Sequence, residues 1–273
     1  MYLDLAWPVV AALVAGVLLT GMIGGILAGL LGVGGGIVVV PALFWLLELL
    51  EFPGQTASHL AVATSLATII PTSISSMRAH ARRGTVDGNL LRLWGPLVFI
   101  GALVGGILSR YIPGEGLRGV FGVVAILVAI NMAIPKTLVL SNHLPKSRII
   151  NVSIASVIGF ISSLMGIGGG TLSVPTLSLF GYPVHKAVGT AAAMGLLIAL
   201  PAVAGFIWGG WDVPDRPPLS LGYVNLAAVA LIAPVSYLFA PLGARLAHAM
   251  NPRYLKIAFA FFLLVTAVRM LAS

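Results

Sequence analysis

The sequence predicts an all-α polytopic membrane protein built from two inverted-topology repeats, and three observations carry that prediction. Of 273 residues, 59% are hydrophobic and 8% charged, whereas a soluble domain carries about 25% charged residues; this chain cannot cover a water-facing surface. The apolar residues fall into ten runs, five in each half. One phrase occurs twice, as GLLGVGGGIVVVPAL from Gly29 and as SLMGIGGGTLSVPTL from Ser163. Gly32, Gly34, Gly35, Gly36 and Pro41 align with Gly166, Gly168, Gly169, Gly170 and Pro175 at a constant offset of 134.

The runs read in order as follows. Residues 7–31 have no basic stretch or small-residue cleavage site before them, so they read as a retained span and not as a signal peptide. Residues 36–50 follow the glycine phrase and fall short of the ~20 residues of a spanning helix. The runs 58–79, 90–110 and 116–134 complete a first repeat, 1–134. Residues 135–148 hold Pro135, Lys136, Ser141, Asn142, His143, Pro145 and Lys146, and read as a cytoplasmic linker. The second repeat, 149–273, has runs 149–165, 170–181, 187–209, 220–243 and 254–271. Its short run, 170–181, again follows the glycine phrase. Such pieces are broken or re-entrant helices, tolerated at membrane depth only where protein or a wet cavity satisfies the backbone. That gives eight to ten transmembrane segments.

Lys and Arg set the orientation. Arg78, Arg82, Arg83, Arg92, Lys136, Lys146, Arg148, Lys186, Arg245, Arg253 and Lys256 fall in one set of connections, and Arg110, Arg118, Arg216 and Arg269 in the other. The positive-inside rule makes the first set cytoplasmic and places both termini outside. Acids follow the opposite pattern: Asp4, Glu48, Glu51, Glu115, Asp212 and Asp215 fall outside, and Asp87 alone inside. The first half then starts outside and the second inside, so the repeats are inverted. The formal charge of +8 is a topology signal and not a nucleic-acid footprint. The halves match further: His59 to Ser65 with His185 to Ala191 and Gly84 with Gly210 at an offset of 126, and Gly105, Leu117, Arg118 and Phe121 with Gly243, Leu255, Lys256 and Phe259 at 138.

Two corresponding breaks in two halves are the sequence pointer to a transporter site at a repeat interface. Successive glycines let backbone N–H groups converge on one point, and helices starting at Ile37 and Thr171 would add their N-terminal donors, which suit an anion. Close helix packing is the competing account of the same glycines, and the sufficient one for Gly21, Gly25 and Gly29 at four-residue spacing. Thr64, Ser65 and Thr190 lie near the start of the helices that follow the short segments. Their hydroxyls can donate to an oxyanion, or bond back to their own helix carbonyls. His59 and His185 hold equivalent positions and either couple protons or are simply solvated at the interfaces. Lys186 and Arg83 could draw anions to the cytoplasmic entrance, although topology already accounts for them.

No acidic residue lies deep in a span, whereas cation-coupled carriers often place carboxylates there. The deep polar groups are hydroxyls, amides and Asn131 or Asn225, a set that favours an anion. The chain has no cysteine, hence no disulfide and no thiolate metal site. Neither a nucleotide-binding motif nor a catalytic triad or metal cluster is present, so we expect no catalytic residue, no metal and no cofactor. The expected partners are a small anionic substrate and the bilayer, with a monomer or homodimer both open.

The paired Gly-x-Gly-Gly-Gly-x4-Pro phrases, Ala61 to Ser65 followed by Pro71, the Ala79 to Gly84 loop and Ala187 to Thr190 together resemble the TauE/SafE sulfite-exporter family of membrane anion permeases. The resemblance covers almost the whole chain. It implies transport of a small sulfur-containing anion such as sulfite, a sulfonate or sulfoacetate across the plasma membrane (bacterial inner membrane). It further implies binding through Gly32, Gly34, Gly35, Gly36, Thr64, Ser65, Gly166, Gly168, Gly169, Gly170 and Thr190. Ala63 against Gly189, and Ala191 against Ser65, depart from the symmetry of the halves. Alternating access is the expected mechanism; a channel-like anion pathway, or a subunit acting only with partners, would fit the same pattern.

Overall fold

The computed structural model describes residues 7–134, 139–214, 216–249 and 252–272, without the side chains of 248–249 and 252–259. Asp4, Pro135, Lys136 and Asp215, and the side chains of Arg253, Leu255, Lys256 and Phe259, lie outside the described residues. The chain is helical: α1 (Trp7–Leu31), α2 (Gly36–Leu49), α3 (Gly54–Ala81), α4 (Gly88–Leu108), α5 (Gly114–Ala133), α6 (Arg148–Met165), α7 (Gly170–Leu179), α8 (Val184–Gly209), α9 (Leu226–Ala249) and α10 (Pro252–Ala272). Each apolar run of the sequence becomes one of them. The boundary that differs most is the ninth, because residues from 220 first form a small antiparallel hairpin, β1 (Ser220–Leu221) with β2 (Val224–Asn225). Gly222, at φ 57°, supplies the left-handed turn between these strands.

Among the described residues, seven helices are long and apolar enough to cross a membrane. The helices α2 and α7, of 14 and 10 residues, reach only about 21 and 15 Å; a hydrocarbon core of about 30 Å is beyond them. Both begin at the glycine breaks, and α2 folds back along α1, so that Val39 lies beside Gly24.

Small residues set the packing. Gly21, Gly25 and Gly29 of α1 face Ile232, Ser236 and Ala240 of α9 in step, so these helices run in the same sense at close approach. On its other side α9 meets α3, again in the same sense: Thr72 Oγ1 lies 2.6 Å from Ser236 Oγ, Ser75 donates to the Tyr237 carbonyl at 2.7 Å, and Arg83 donates to the Ala244 carbonyl. A second triplet mirrors the first. Gly101 and Gly105 of α4 face Ser156 and Phe160 of α6, and Gly106 and Arg110 face Ala202 and Gly209 of α8, all in the same sense. Where the triplets meet, α3 and α8 run opposite ways, with His59 near Phe206 and Ser73 against Gly195. These two helices are the most buried and form the centre. Arg78, Arg82, Arg83, Arg92, Arg148, Lys186 and Arg245 consequently gather at one end, called here the basic end.

Candidate functional site

The two glycine breaks meet in the middle of the bundle. A Cβ built on Gly34 would lie 3.1 Å from Gly168 Cα, and one on Gly168 would lie 3.0 Å from Gly34 Cα. These are equivalent residues of the two phrases, touching each other. Gly168 N–H donates to the Val33 carbonyl at 3.0 Å, and Ser65 Oγ donates to the Gly166 carbonyl at 2.7 Å. Around this centre Gly36 abuts Gly166, Gly170 abuts Gly32, and Gly32 backs on Val188. Gly35 presses on Gly24, and Gly169 on Ala191 and Met194. The phrases differ in backbone: Gly32, Gly34 and Gly35 take φ of 69°, 75° and 79°, whereas in the second phrase only Gly166, at 68°, is left-handed. Only glycine adopts such angles without strain.

The predicted hydroxyls have structural partners. Thr64 accepts the Asn225 backbone N–H at 3.0 Å, and Thr190 accepts the Asp87 backbone N–H at 2.9 Å. Asn225 and Asp87 are themselves equivalent at the offset of 138, and each caps the helix that follows: Asn225 accepts from Ala228 N–H at 2.9 Å, Asp87 from Asn89 and Leu90. The histidines are equivalent in sequence but not in setting. His59 is buried, with Nδ1 2.9 Å from the Gln55 carbonyl, Nε2 3.0 Å from the Ser109 carbonyl and its ring stacked on Tyr223 at 4.6 Å. His185 is exposed at the basic end.

Asp87 sits in the loop before α4. The Tyr182 hydroxyl, which donates to it, and the Leu90 amide hold its carboxyl below the usual range, and burial with the facing carboxylate pushes the Tyr182 phenol up. A lowered carboxyl pKa contributes stability that is full above 3.8 and is lost as pH falls toward the folded-state value. Asp87→Ala is therefore expected to cost about 1–2 kcal/mol through the lost cap. Melting in detergent checks it, and the variant should show a flatter fall of Tm on acidification than the native chain; an unchanged Tm and pH profile would contradict the assignment.

Space for a ligand lies beside the touching breaks and not between them. A cavity of about 70 Å³ follows α7 from Ser178 and Val184 at the basic end up to Gly170 and Thr171 at the break. Its walls are largely apolar, with Asn131 of α5 also present. Several water molecules fit such a volume. The N–H groups of Gly170, Thr171 and Leu172, which have no acceptor within the helix, start at its inner end. Among the described residues, four buried hydroxyls surround this second break without a hydrogen-bond partner: Ser162 in the last turn of α6, Thr171 and Ser173 in the first turn of α7, and Ser73, which lies against Gly195 next to Gly169. A buried hydroxyl left unpaired is costly. Sequence reasoning did not select these four, although the signal was present: Thr171 and Ser173 stand where the first phrase has Ile37 and Val39, and Ser162 where it has Ala28.

A polytopic membrane transporter is the class of protein that these breaks and this cavity define. The chain belongs to the sulfite exporter TauE/SafE family, whose model matches residues 7–270. It is 35% identical over 256 residues to a "Probable membrane transporter protein" of Haemophilus influenzae, covering 93% of this chain and 96% of that one. A similarly named protein of Methanocaldococcus jannaschii is 30% identical over 262 residues, covering 93% and 94% of the two chains. Another, of Bacillus subtilis, is 28% identical over 256 residues, covering 85% and 88%. No solved structure matches the chain.

Proposed function

We propose that the chain is a secondary transporter that moves a small anion, sulfite or an organosulfonate, across the plasma membrane by alternating access. The two halves, 1–134 and 149–273, are inverted repeats joined by the 135–148 linker. The helix directions support this: α1, α3 and α9 run one way, and α6, α8 and α4, their respective equivalents, run the other. Exchanging each helix for its equivalent turns the α1–α9 contact into α6–α4, α3–α9 into α8–α4, and α2–α3 into α7–α8, all of which exist. Gly34 and Gly168 then sit on the pseudo-twofold axis. The basic end faces the cytoplasm under the positive-inside rule, with both termini outside.

The observation that carries the substrate class is the cavity that reaches α7's N-terminus among unpartnered buried hydroxyls. These groups donate, no carboxylate competes with them among the lining residues, and the helix dipole favours negative charge. Gly170 supplies the backbone donor and Thr171, which lines the cavity, a hydroxyl donor, with Ser173, Ser73 and Ser162 buried around the same break, while Gly32, Gly34, Gly36, Gly166, Gly168 and Ser65 fix the break. Thr64 and Thr190 hold the flanking loops. The protein acts as a monomer or homodimer in the bilayer, without cofactor. Purified protein in proteoliposomes loaded with sulfite or a short alkanesulfonate should take up the labelled anion by saturable counterflow. Flux that never saturates, or no flux of any anion tested, would sink this reading.

A further inference from the structure

The cavity along α7 has a twin. Val174, Ser178, Val184, Val188 and Met132 line it, and their equivalents at offsets of 134, 126 and 138 are Val40, Phe44, Ser58, Val62 and Met270. Those five residues border one space along α2, at the end opposite the basic one. The first space is about 70 Å³, yet the second has no room for a water molecule. The residues that fill it are specific. Phe44 is fully buried where its equivalent is Ser178, and Phe121 is fully buried beside it. Arg118 enters from α5 with its guanidinium 5.3 Å from the centre of the Phe44 ring. Its Nε is buried and donates to no group among the described residues.

We propose that this space is the closed outer half of the substrate path, with Phe44 as its plug and Arg118 as the residue that receives a small oxyanion at the outer mouth. This rests on the transport reading above. A guanidinium is charged at all accessible pH values and presents donors matched to an oxyanion edge. Holding it in a low-dielectric pocket with a vacant Nε–H is unfavourable unless a ligand fills that donor for part of the cycle. The face of Phe44 is the substitute partner while the path is shut. An anion on Arg118 competes with that face and so favours withdrawal of the ring, which links arrival of the ligand to opening of the outer half. Both ends thereby offer donors to an anion, but of different kinds: α7's N-terminus and hydroxyls inside, a guanidinium outside. The conformation described here is the inward-open one.

The chain has no cysteine, so single thiols report without background. Ser178→Cys and Ser58→Cys, reconstituted in proteoliposomes of known orientation, are treated with impermeant methanethiosulfonates, one carrying a sulfonate and one a trimethylammonium group. Ser178→Cys should react from the basic side, and Ser58→Cys from the outer side at least about tenfold more slowly. Adding Phe44→Ala should remove most of that difference, and Phe44→Leu serves if the alanine variant does not fold. In the opened background the sulfonate reagent should outpace the cationic one; Arg118→Gln should cut that ratio about fivefold, and Arg118→Lys should retain it. Fast labelling of Ser58→Cys with Phe44 intact overturns the plug, and a ratio unmoved by Arg118→Gln overturns the receiving role. Because labelling needs no transported substrate, the expected pattern together with absent anion flux would refute the transport reading and leave the gate standing.

Discussion

Gly168→Leu is expected to abolish anion flux in protein that still inserts into the membrane, with Gly34→Leu acting the same way. A Cβ at Gly168 would lie 2.7 Å from the Val33 carbonyl oxygen and 3.0 Å from Gly34 Cα, all of it backbone that cannot swing aside. The first break would have to move, and with it the start of α2 and the wall of the inner cavity. At Gly34 the φ of 75° adds a strain of about 1–2 kcal/mol for any L side chain. Gly16→Leu is the control, since nothing lies within 4 Å of its Cβ position. Counterflow per monodisperse protein measures the effect. Native flux in Gly168→Leu would mean that contact between the breaks is not needed for transport.

The second large effect separates hydroxyls that serve the fold from those left for a ligand. Thr171→Val should keep or raise Tm, because Thr171 Oγ1 is buried without a partner among the described residues and removing an unpaired group relieves its desolvation cost. Transport should nevertheless fall about 10- to 100-fold in kcat/KM, the worth of a hydrogen bond to a charged ligand. Thr190→Val and Thr64→Val should do the reverse. Each strands the backbone N–H of a helix cap, Asp87 or Asn225, at a cost of about 1–3 kcal/mol in stability. A Thr171→Val protein with native kinetics would exclude this hydroxyl from the binding set.

Much of the architecture is legible in the sequence because hydropathy and glycine breaks are local signals. Residues 7–31 become α1 at the same bounds, and the two short runs become α2 and α7. The start of α9 is displaced because the apolar 220–225 stretch satisfies its backbone in a hairpin before the helix begins, which average hydrophobicity does not distinguish. The site is less legible. The glycines are visible as a repeated phrase, and their meeting at Gly34 and Gly168 follows its symmetry. The roles of Thr64 and Thr190 depend on partners in distant loops, and spacing along α3 or α8 carries no trace of Asn225 or Asp87. His59 and His185 share a sequence context, yet one is clamped between two carbonyls and the other faces outward. Which hydroxyls remain unpartnered is a property of the assembled bundle alone.

The way the helices choose partners also bears on biosynthesis. α1 packs chiefly on α9, and α4 on α6 and α8, so α1 and α4 leave the ribosome before the surfaces that complete them exist. Insertion into lipid must therefore come first, and the early helices wait in the bilayer with glycine faces uncovered and the Asp87 amide unclaimed until Thr190 arrives. The contacts that complete α1 and α4 form only once the second half has been made. A translation product that stops within the linker would be threaded through the membrane but not folded, and would present those bare glycine faces to quality-control proteases.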